Sequence, residues 1–154
     1  MKRKILLLLV NTLVAAVLLL TACGPAVNTT PKPVPTLENT NWVLQSYGTP
    51  ANLKSVLTSA DGLKNIEITA VFDNAQGQVS GSSGVNTYGG SYELKDNKLS
   101  ISGLIITLLG GPQPLIDQEK EFLKLLQAAE SYQITDGRLQ INCGQQMLVF
   151  TEKP

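Results

Sequence analysis

Residues 77–92 restrict the folds open to this chain more than any other stretch does. They read GQVSGSSGVNTYGGSY and place glycine at positions 77, 81, 84, 89 and 90. Isolated glycines in strand-like sequence mark bulges, sharp bends or sites where another backbone approaches closely. A flexible linker would lack the anchors that lie between these glycines, which are Val79, Val85, Tyr88 and Tyr92. The segment therefore predicts a corner inside a β-domain.

The sequence around this corner predicts further strands. Residues 65–73 alternate, with Ile66, Ile68, Ala70 and Phe72 on one face, which is typical of a half-buried strand. Residues 104–109 are nearly all apolar and predict a strand buried on both faces. Residues 51–63 fit either a short strand or a helical turn. The pattern indicates a mainly β fold of about eight strands. The other segments predicted to form strands are 41–47, 78–82, 87–94, 99–102, 131–135, 138–142 and 146–151.

One amphipathic helix is predicted over residues 115–129. Its apolar positions recur at helical spacing and comprise Leu115, Phe122, Leu126 and Ala129, with Ile116 and Leu123 widening the stripe. The polar face is not strongly basic, as a helix lying on a membrane surface would be. We therefore expect this helix to pack on the sheet.

Residues 1–22 have the layout of a secretory signal peptide. The chain opens with Met-Lys-Arg-Lys, continues with residues 5–20, which are apolar apart from Asn11 and Thr12, and reaches Cys23 through small residues. A retained transmembrane helix needs about 20 predominantly apolar residues. This run is shorter and interrupted, so we expect cleavage rather than a single membrane anchor helix.

Residues 20–23, Leu-Thr-Ala-Cys, resemble a bacterial lipobox, the signal after which the cysteine is lipidated and becomes the mature N-terminus. The resemblance implies lipid attachment at Cys23, and two or more acyl chains give stable anchoring. Gly24 follows, without the aspartate typical of inner-membrane retention. The expected location is the exported face of the cell envelope, on the outer membrane or on the outer leaflet of the cytoplasmic membrane.

A proline-rich stretch separates this cysteine from the folded part of the chain. Four of the 13 residues in 24–36 are proline, which excludes a helix or a central strand there. Residues 23–37 are therefore predicted to be the lipidated cysteine and a semi-extended tether. Residues 38–154 are left as the folded domain.

The charge balance argues against a nucleic-acid partner. The chain has 12 basic and 12 acidic residues, and three basic residues leave with the leader, so the mature form has 12 − 3 = 9 basic residues and a net charge of −3. A mildly acidic domain without a basic patch does not attract nucleic acid. The expected partners are the membrane, through the N-terminal lipid, and envelope proteins.

The cysteine count argues against an intramolecular disulfide. The chain has two cysteines, and lipid on Cys23 would leave Cys143 without a partner. Free cysteine usually behaves as a small hydrophobic residue. We expect Cys143 to pack in this way rather than act as a reactive thiol.

Several separated stretches are similar to the META/HslJ domain, which is found in bacterial envelope lipoproteins and heat-shock-associated proteins. Residues 84–92 match the family's central glycine–cysteine–asparagine motif, with Val85 at the cysteine position. The other matching stretches are 41–42, 68–72, 77–81, 107–112, 118–119, 122–123 and 148–150. The resemblance implies a small, highly curved antiparallel sheet or barrel, with one packed α-helix closing an opening.

The chain departs from the family pattern at two positions. Family members commonly carry cysteine where this chain has Val85, and a second cysteine just before the proline, where it has Gly111. Both are absent together, as the loss of one disulfide or thiol pair would produce. The departure puts a redox role in doubt and leaves packing to hold the corner, without the roughly 2–4 kcal/mol that a disulfide adds.

The residue inventory offers little for an enzyme or a metal site. The sequence has no histidine, which excludes histidine acid–base catalysis and histidine metal ligation. We predict no catalytic residue, no cofactor and no metal site. Asp117, Glu119 and Glu121 are expected to form a solvated helix face rather than a carboxylate cluster for a metal.

Asn86 and Tyr88 are the candidate site residues that remain. They could contact a polar ligand at the rim of the barrel. Alternatively, the asparagine could satisfy the backbone at a tight corner while the tyrosine packs in the core, and we favour this second interpretation.

Two functional hypotheses follow. The first is a non-enzymatic, lipid-anchored envelope protein that serves envelope maintenance or stress tolerance through protein interaction. The alternative is binding or carriage of an apolar ligand or acyl chain inside the small barrel. A packed interior would favour the first hypothesis, and a dry apolar cavity would favour the second.

Overall fold

A computed structural model describes residues 36–153 of the chain. The predicted leader, Cys23 and nearly all of the tether lie outside these residues. Leu37, at the predicted boundary of the domain, is buried, and its carbonyl oxygen accepts a hydrogen bond of 3.0 Å from the Trp42 indole. The folded domain therefore includes Leu37. Between residues 36 and 153, no helix has the length and apolar character needed to cross a membrane.

Nine strands and one helix make up this part of the chain. They are β1 Asn41–Thr49, β2 Asn52–Ser55, β3 Thr69–Asp73, β4 Gln78–Ser82, β5 Thr87–Lys95, β6 Lys98–Ile106, α1 Gln113–Gln127, β7 Ser131–Thr135, β8 Arg138–Cys143 and β9 Gln146–Glu152. Neighbouring strands pair in the order β2-β1-β3-β4-β5-β6-β7-β8-β9, and β1 also pairs with β9, so the sheet closes into a ring. The predicted fold, a small curved antiparallel sheet with one packed helix, is confirmed.

The ring is weakest between β6 and β7. These strands share a single paired position, Lys98 with Ser131, whereas β5 and β6 pair along most of their length. The chain connects β6 to β7 through α1, which also contacts β6 and β9. The helix therefore packs against β6, one of the two strands that share the shortest ladder.

Large side chains fill the space enclosed by the ring. Trp42, Phe72, Phe122 and Phe150 are each 0% exposed. The Phe72 ring meets the Tyr92 ring edge-on at 5.2 Å between centroids, and Phe122 of α1 meets Tyr88 of β5 at 5.6 Å. Edge-to-face pairs of this kind add about 0.5–1.5 kcal/mol to the burial of the rings. The helix is thus joined to the sheet by aromatic packing.

The glycines of β4 and β5 allow the sheet to bend sharply. A Cβ atom at Gly81 would lie 2.1 Å from the carbonyl oxygen of Thr69, and one at Gly90 would lie 2.9 Å from that of Ser102. The pairing of β5 with β6 also shifts register between Gly89 and Ser91, which marks a bulge. These are the close approaches that the glycine spacing predicts.

The prediction that residues 104–109 form a strand buried on both faces is wrong. β6 ends at Ile106, and Ile105, Leu108 and Leu109 are 74%, 90% and 63% exposed. An apolar run shows that a segment can be buried, but it does not show that a second layer covers it. Here the side chains project from the domain instead.

The structure also settles the conformation of residues 51–63 and shortens the strand predicted over 65–73. Within residues 51–63, a short strand forms at Asn52–Ser55 and pairs with β1. The strand predicted over 65–73 is regular only from Thr69, although Ile68 is fully buried and makes a bridge with Ser83.

Candidate functional site

The structure places Asn86 and Tyr88 in different surroundings. Tyr88 is buried in the core, and its hydroxyl donates a hydrogen bond of 2.9 Å to the carbonyl oxygen of Thr69. Burial raises the pKa of Tyr88 well above its ordinary value of 10. Asn86 is also buried, but it lies in a polar network at the corner between β4 and β5.

The centre of that network is the carboxylate of Glu119 on α1. Its Oε2 atom accepts hydrogen bonds from the Asn86 backbone N–H at 2.9 Å and from the Ser83 hydroxyl, while Oε1 accepts from Asn86 Nδ2 at 2.8 Å. Ser83, Asn86 and Glu119 are 0%, 4% and 4% exposed. A buried carboxylate requires such donors, because leaving it unpaired in the interior is costly. The network therefore ties the corner to the helix.

Asn86 extends the same network to residues that follow β6. Its Oδ1 atom accepts from the Leu109 backbone N–H at 2.7 Å and from the Thr107 hydroxyl at 2.9 Å. Its Nδ2 atom also lies 3.4 Å from the Leu109 carbonyl oxygen. The amide thus uses its donors and acceptors fully. It holds the backbone of residues 107–109 against the corner.

The expectation that Glu119 belongs to a solvated acidic face is wrong. Asp117 accepts a hydrogen bond from Gln113, and Glu121 pairs with Lys54 at 3.1 Å, whereas Glu119 points into the domain. The three carboxylates therefore diverge. Glu119 lies four residues after Leu115 and three before Phe122, which is the spacing of the buried stripe. That spacing was the available signal for its burial.

Gln118, a second buried polar residue of α1, binds the chain segment that follows β2. Gln118 Oε1 accepts from the Leu57 backbone N–H at 2.6 Å, and Nε2 donates to the Leu57 carbonyl oxygen at 3.2 Å. The Lys54–Glu121 ion pair lies nearby on the surface. The segment after β2 is thereby attached to α1.

The segment that Asn86 holds displays an apolar surface. We define the apolar ridge as Ile105, Ile106, Leu108 and Leu109, which are 40% to 90% exposed. Between the ridge and α1 lies a groove of about 340 Å³, lined also by Ile116, Lys120 and Leu123, with Asn86 and Glu119 at its base. Ile106, Leu108 and Leu109 share this lining, and exposed apolar side chains grouped in this way mark a site of contact with other molecules.

The two positions where the family resemblance implies missing cysteines are adjacent. A Cβ atom at Gly111 would lie 3.7 Å from Val85 Cβ. Disulfides place their Cβ atoms about 3.5–4.5 Å apart. The Val85 side chain occupies the space instead, so packing joins the corner to the start of α1.

The described cysteine is remote from this site. Cys143 is buried at the end of β8, and its thiol lies 3.6 Å from the Ile141 carbonyl oxygen. Burial, together with the nearby Glu130 carboxylate, raises the pKa of Cys143 to about 12. The thiolate is therefore disfavoured at neutral pH.

The hydrogen bonds of this network hold chain segments in place. Among residues 36–153, every buried side-chain nitrogen and oxygen atom has a hydrogen-bond partner. The Ser83 hydroxyl donates to a carboxylate that is itself buried, and both groups are engaged with the protein. The network holds the corner, α1 and residues 107–109 together and leaves the ridge on the surface.

The comparison with protein-family models identifies one family. A sequence model of the META domain matches residues 35–154. A search of curated proteins finds no match. A protein from Burkholderia xenovorans, whose structure was determined by NMR, is 30% identical, with a TM-score of 0.62 over 76% of this chain and 83% of that chain.

Two further solved structures are similar in fold alone. One is an NMR structure that is 20% identical, with a TM-score of 0.55 over 75% of this chain and 90% of that chain. The other is the crystal structure of a DUF4847 family protein from Bacteroides vulgatus, which is 17% identical, with a TM-score of 0.52 over 75% of this chain and 93% of that chain.

Proposed function

The chain belongs to the META domain family, and on that premise we propose that it is a non-enzymatic, lipid-anchored cell-envelope protein. Its role is envelope maintenance or stress tolerance, exerted through interaction with other envelope proteins. It acts on the exported face of the envelope, either on the outer membrane or on the outer leaflet of the cytoplasmic membrane.

The filled interior of the ring carries this proposal. Aromatic residues from β1, β3, β9 and α1 are fully buried at its centre. A domain packed in this way works through its outer surface, because ligand carriage or catalysis needs an accessible concave site. The buried polar groups near the surface are already satisfied by one another.

The proposed anchoring is supported by the sequence. Residues 20–23 have the lipobox pattern, and the proline-rich stretch after Cys23 suits a tether. Acyl chains would attach the domain to the bilayer after the leader is removed.

Replacement of the lipidated cysteine tests the proposal. The Cys23→Ser variant should lose membrane association and should fail to restore envelope-stress tolerance in a deletion strain. Cys143→Ser is the matched control, because it removes the other cysteine and should leave both properties unchanged. Membrane association of Cys23→Ser at the wild-type level would refute lipid anchoring.

Carriage of an apolar ligand is the second candidate, and the groove beside the ridge is the observation that favours it. Leu109, Ile116 and Leu123 give this groove an apolar lining. Mass spectrometry of the purified protein under native conditions would decide between the candidates. A lipid or fatty acid bound at one-to-one stoichiometry, in addition to the anchor on Cys23, would favour carriage.

A further inference from the structure

We infer that the apolar ridge rests on the surface of the bilayer that holds the lipid anchor, so that the domain is attached at two points. This inference depends on the proposed lipidation of Cys23. It adds a defined contact surface and a defined orientation to that attachment.

The ridge has the composition of a lipid contact. Its four members are aliphatic, and three of them are more than 60% exposed. The residues that contribute most to protein–protein binding are enriched in tryptophan, tyrosine and arginine, with leucine under-represented. The ridge contains none of the three enriched types. Aliphatic side chains alone are suited to the acyl region just below the headgroups.

The rigidity of the ridge supports the same conclusion. Asn86 holds the backbone at Leu109 through two hydrogen bonds, and Glu119 holds Asn86. The exposed leucines therefore cannot turn inward without breaking a buried network. Their apolar surface is available for contact without a prior conformational change.

The charges beside the ridge suit phospholipid headgroups. Lys120 lines the groove, and Lys124 follows it one helical turn later, both exposed. Lysine side chains extend apolar stems along a surface and place their ammonium groups at the level of lipid phosphates. The ridge and these two lysines would therefore approach a bilayer together.

The length of chain between the anchor and the domain permits this contact. Thr36 lies 13 positions after Cys23, and 13 residue steps span about 40 Å when extended as polyproline. A domain of this size is about 35 Å across. The tether therefore allows any face of the domain to reach the membrane.

The anchor also explains why so small a surface suffices. A few aliphatic side chains bind a bilayer weakly when the protein is free in solution. Tethering makes the second contact intramolecular, which raises the effective concentration of the bilayer for the ridge as long as the tether spans the distance. The ridge would then be membrane-bound for much of the time.

Depth-dependent quenching of tryptophan fluorescence tests the inference on the mature lipoprotein. Leu108→Trp adds an indole at the most exposed ridge position, and the native Trp42 is fully buried, so that it adds a constant background. The protein is reconstituted in phosphatidylcholine–phosphatidylglycerol vesicles with and without brominated acyl chains. We expect the brominated lipid to lower the emission of the introduced indole about twofold, in proportion to its time at the bilayer.

Asn97→Trp is the matched control. Asn97 is exposed in the turn that joins β5 to β6, and eight residues of chain along β6 separate it from Ile105, a span of up to about 26 Å. Its indole should show little quenching. Equal quenching at the two positions, or none in Leu108→Trp, would overturn the inference.

Two further measurements separate the causes of failure. Mass spectrometry and vesicle flotation report lipidation and anchoring independently of the ridge. An anchored protein without quenching at Leu108→Trp would leave the proposed function intact and overturn the ridge contact, whereas an unlipidated Cys23 would overturn both. Shielding of the indole from acrylamide in whole envelopes but not in lipid vesicles would identify a protein as the occupant, which also overturns the inference.

The lysines have their own test in the same vesicles. Combining Lys120→Glu and Lys124→Glu with Leu108→Trp should reduce quenching in anionic vesicles and change it little in pure phosphatidylcholine. Unchanged quenching in anionic vesicles would remove the lysines from the proposed contact.

Discussion

The corner at residues 83–86 and the apolar ridge, which begins in the last two residues of β6, are neighbouring parts of the molecule with opposite exposure. Ser83 and Asn86 of the corner are polar, yet both are buried. The ridge is aliphatic, yet Leu108 is 90% exposed. Loops usually show the reverse relation, because buried polar groups need partners and exposed apolar groups gain nothing from water.

Two hydrogen-bonded residues, Glu119 and Asn86, account for the two outcomes. Glu119 provides acceptors for the polar groups of the corner, and this allows the corner to be buried. Asn86 then holds Leu109 on the outside of the corner. The comparison shows that hydrogen-bond partners supplied by a distant helix, rather than local composition, determine which segment is buried.

Removal of the Glu119 carboxylate should have the largest effect. In Glu119→Ala, the Asn86 backbone N–H loses its acceptor, which costs about 1–3 kcal/mol, while the Ser83 hydroxyl and Asn86 Nδ2 keep only the Asn86 and Leu109 carbonyl oxygens. We expect the free energy of unfolding in urea to fall by about 4 kcal/mol once the cavity left by the side chain is included. Asp117→Ala, which changes an exposed carboxylate of the same helix, should stay within about 0.5 kcal/mol of wild type. Equal losses of stability in both variants would show that the buried carboxylate contributes no more than the exposed one.

Two isoleucines of β6 allow a test of burial within one strand. Ile101 is 5% exposed and faces the core, while Ile105 is 74% exposed on the ridge. Ile101→Ala should reduce the free energy of unfolding by about 3 kcal/mol. Ile105→Ala should change it by less than about 0.5 kcal/mol. A large loss of stability in Ile105→Ala would show that the ridge is covered in the folded protein.

A new disulfide that links the corner to the start of α1 should stabilise the folded domain. The double variant Val85→Cys, Gly111→Cys places two Cβ atoms at a suitable separation, since a Cβ atom at Gly111 would lie 3.7 Å from that of Val85. We expect about 2–3 kcal/mol of added stability in the oxidised form. Thermal unfolding with and without a reductant measures the gain. The single variant Val85→Cys is the control and should not respond to the reductant.

Alkaline pH should lower the free energy of unfolding through a buried tyrosine near the corner, and not through the ridge. Burial raises the folded-state pKa of Tyr88, two residues beyond Asn86, above the unfolded value of 10. The unfolded state therefore loses the phenolic proton first, and the contribution that is present below pH 10 is lost as the pH rises. We expect the free energy of unfolding to fall as the pH rises above about 10, with a contribution also from Tyr92, and we expect the contribution of Cys143 to be lost from about pH 9 upward.

The Tyr88→Phe variant isolates this contribution. Its free energy of unfolding should fall less steeply with pH than that of wild type, because the phenol is absent. Ile105→Ala should keep the wild-type slope, since the ridge carries no titratable group. Identical slopes in Tyr88→Phe and wild type would exclude Tyr88 as a source of the pH dependence.

The sequence alone was sufficient to predict most of the fold. Alternating apolar residues identified the strands, helical spacing identified α1, and the glycines at 81 and 90 marked the close approaches between strands. These features are local, because side-chain period and the lack of a Cβ atom act wherever the segment lies. The closed ring followed from the resemblance to the META domain rather than from any one pattern.

Only the tertiary structure determined what lies inside and what lies outside at the candidate site. Local sequence classed Glu119 as solvated and residues 104–109 as buried, and both assignments were reversed. Burial of a charge depends on donors that converge from distant segments, here Ser83 and Asn86. Exposure of an apolar strand end depends on whether a second layer covers it. The spacing of Glu119 from Leu115 and Phe122 places it on the buried stripe of α1, but the donors that make its burial possible, and the absence of a layer over the ridge, are properties of the assembled ring and helix.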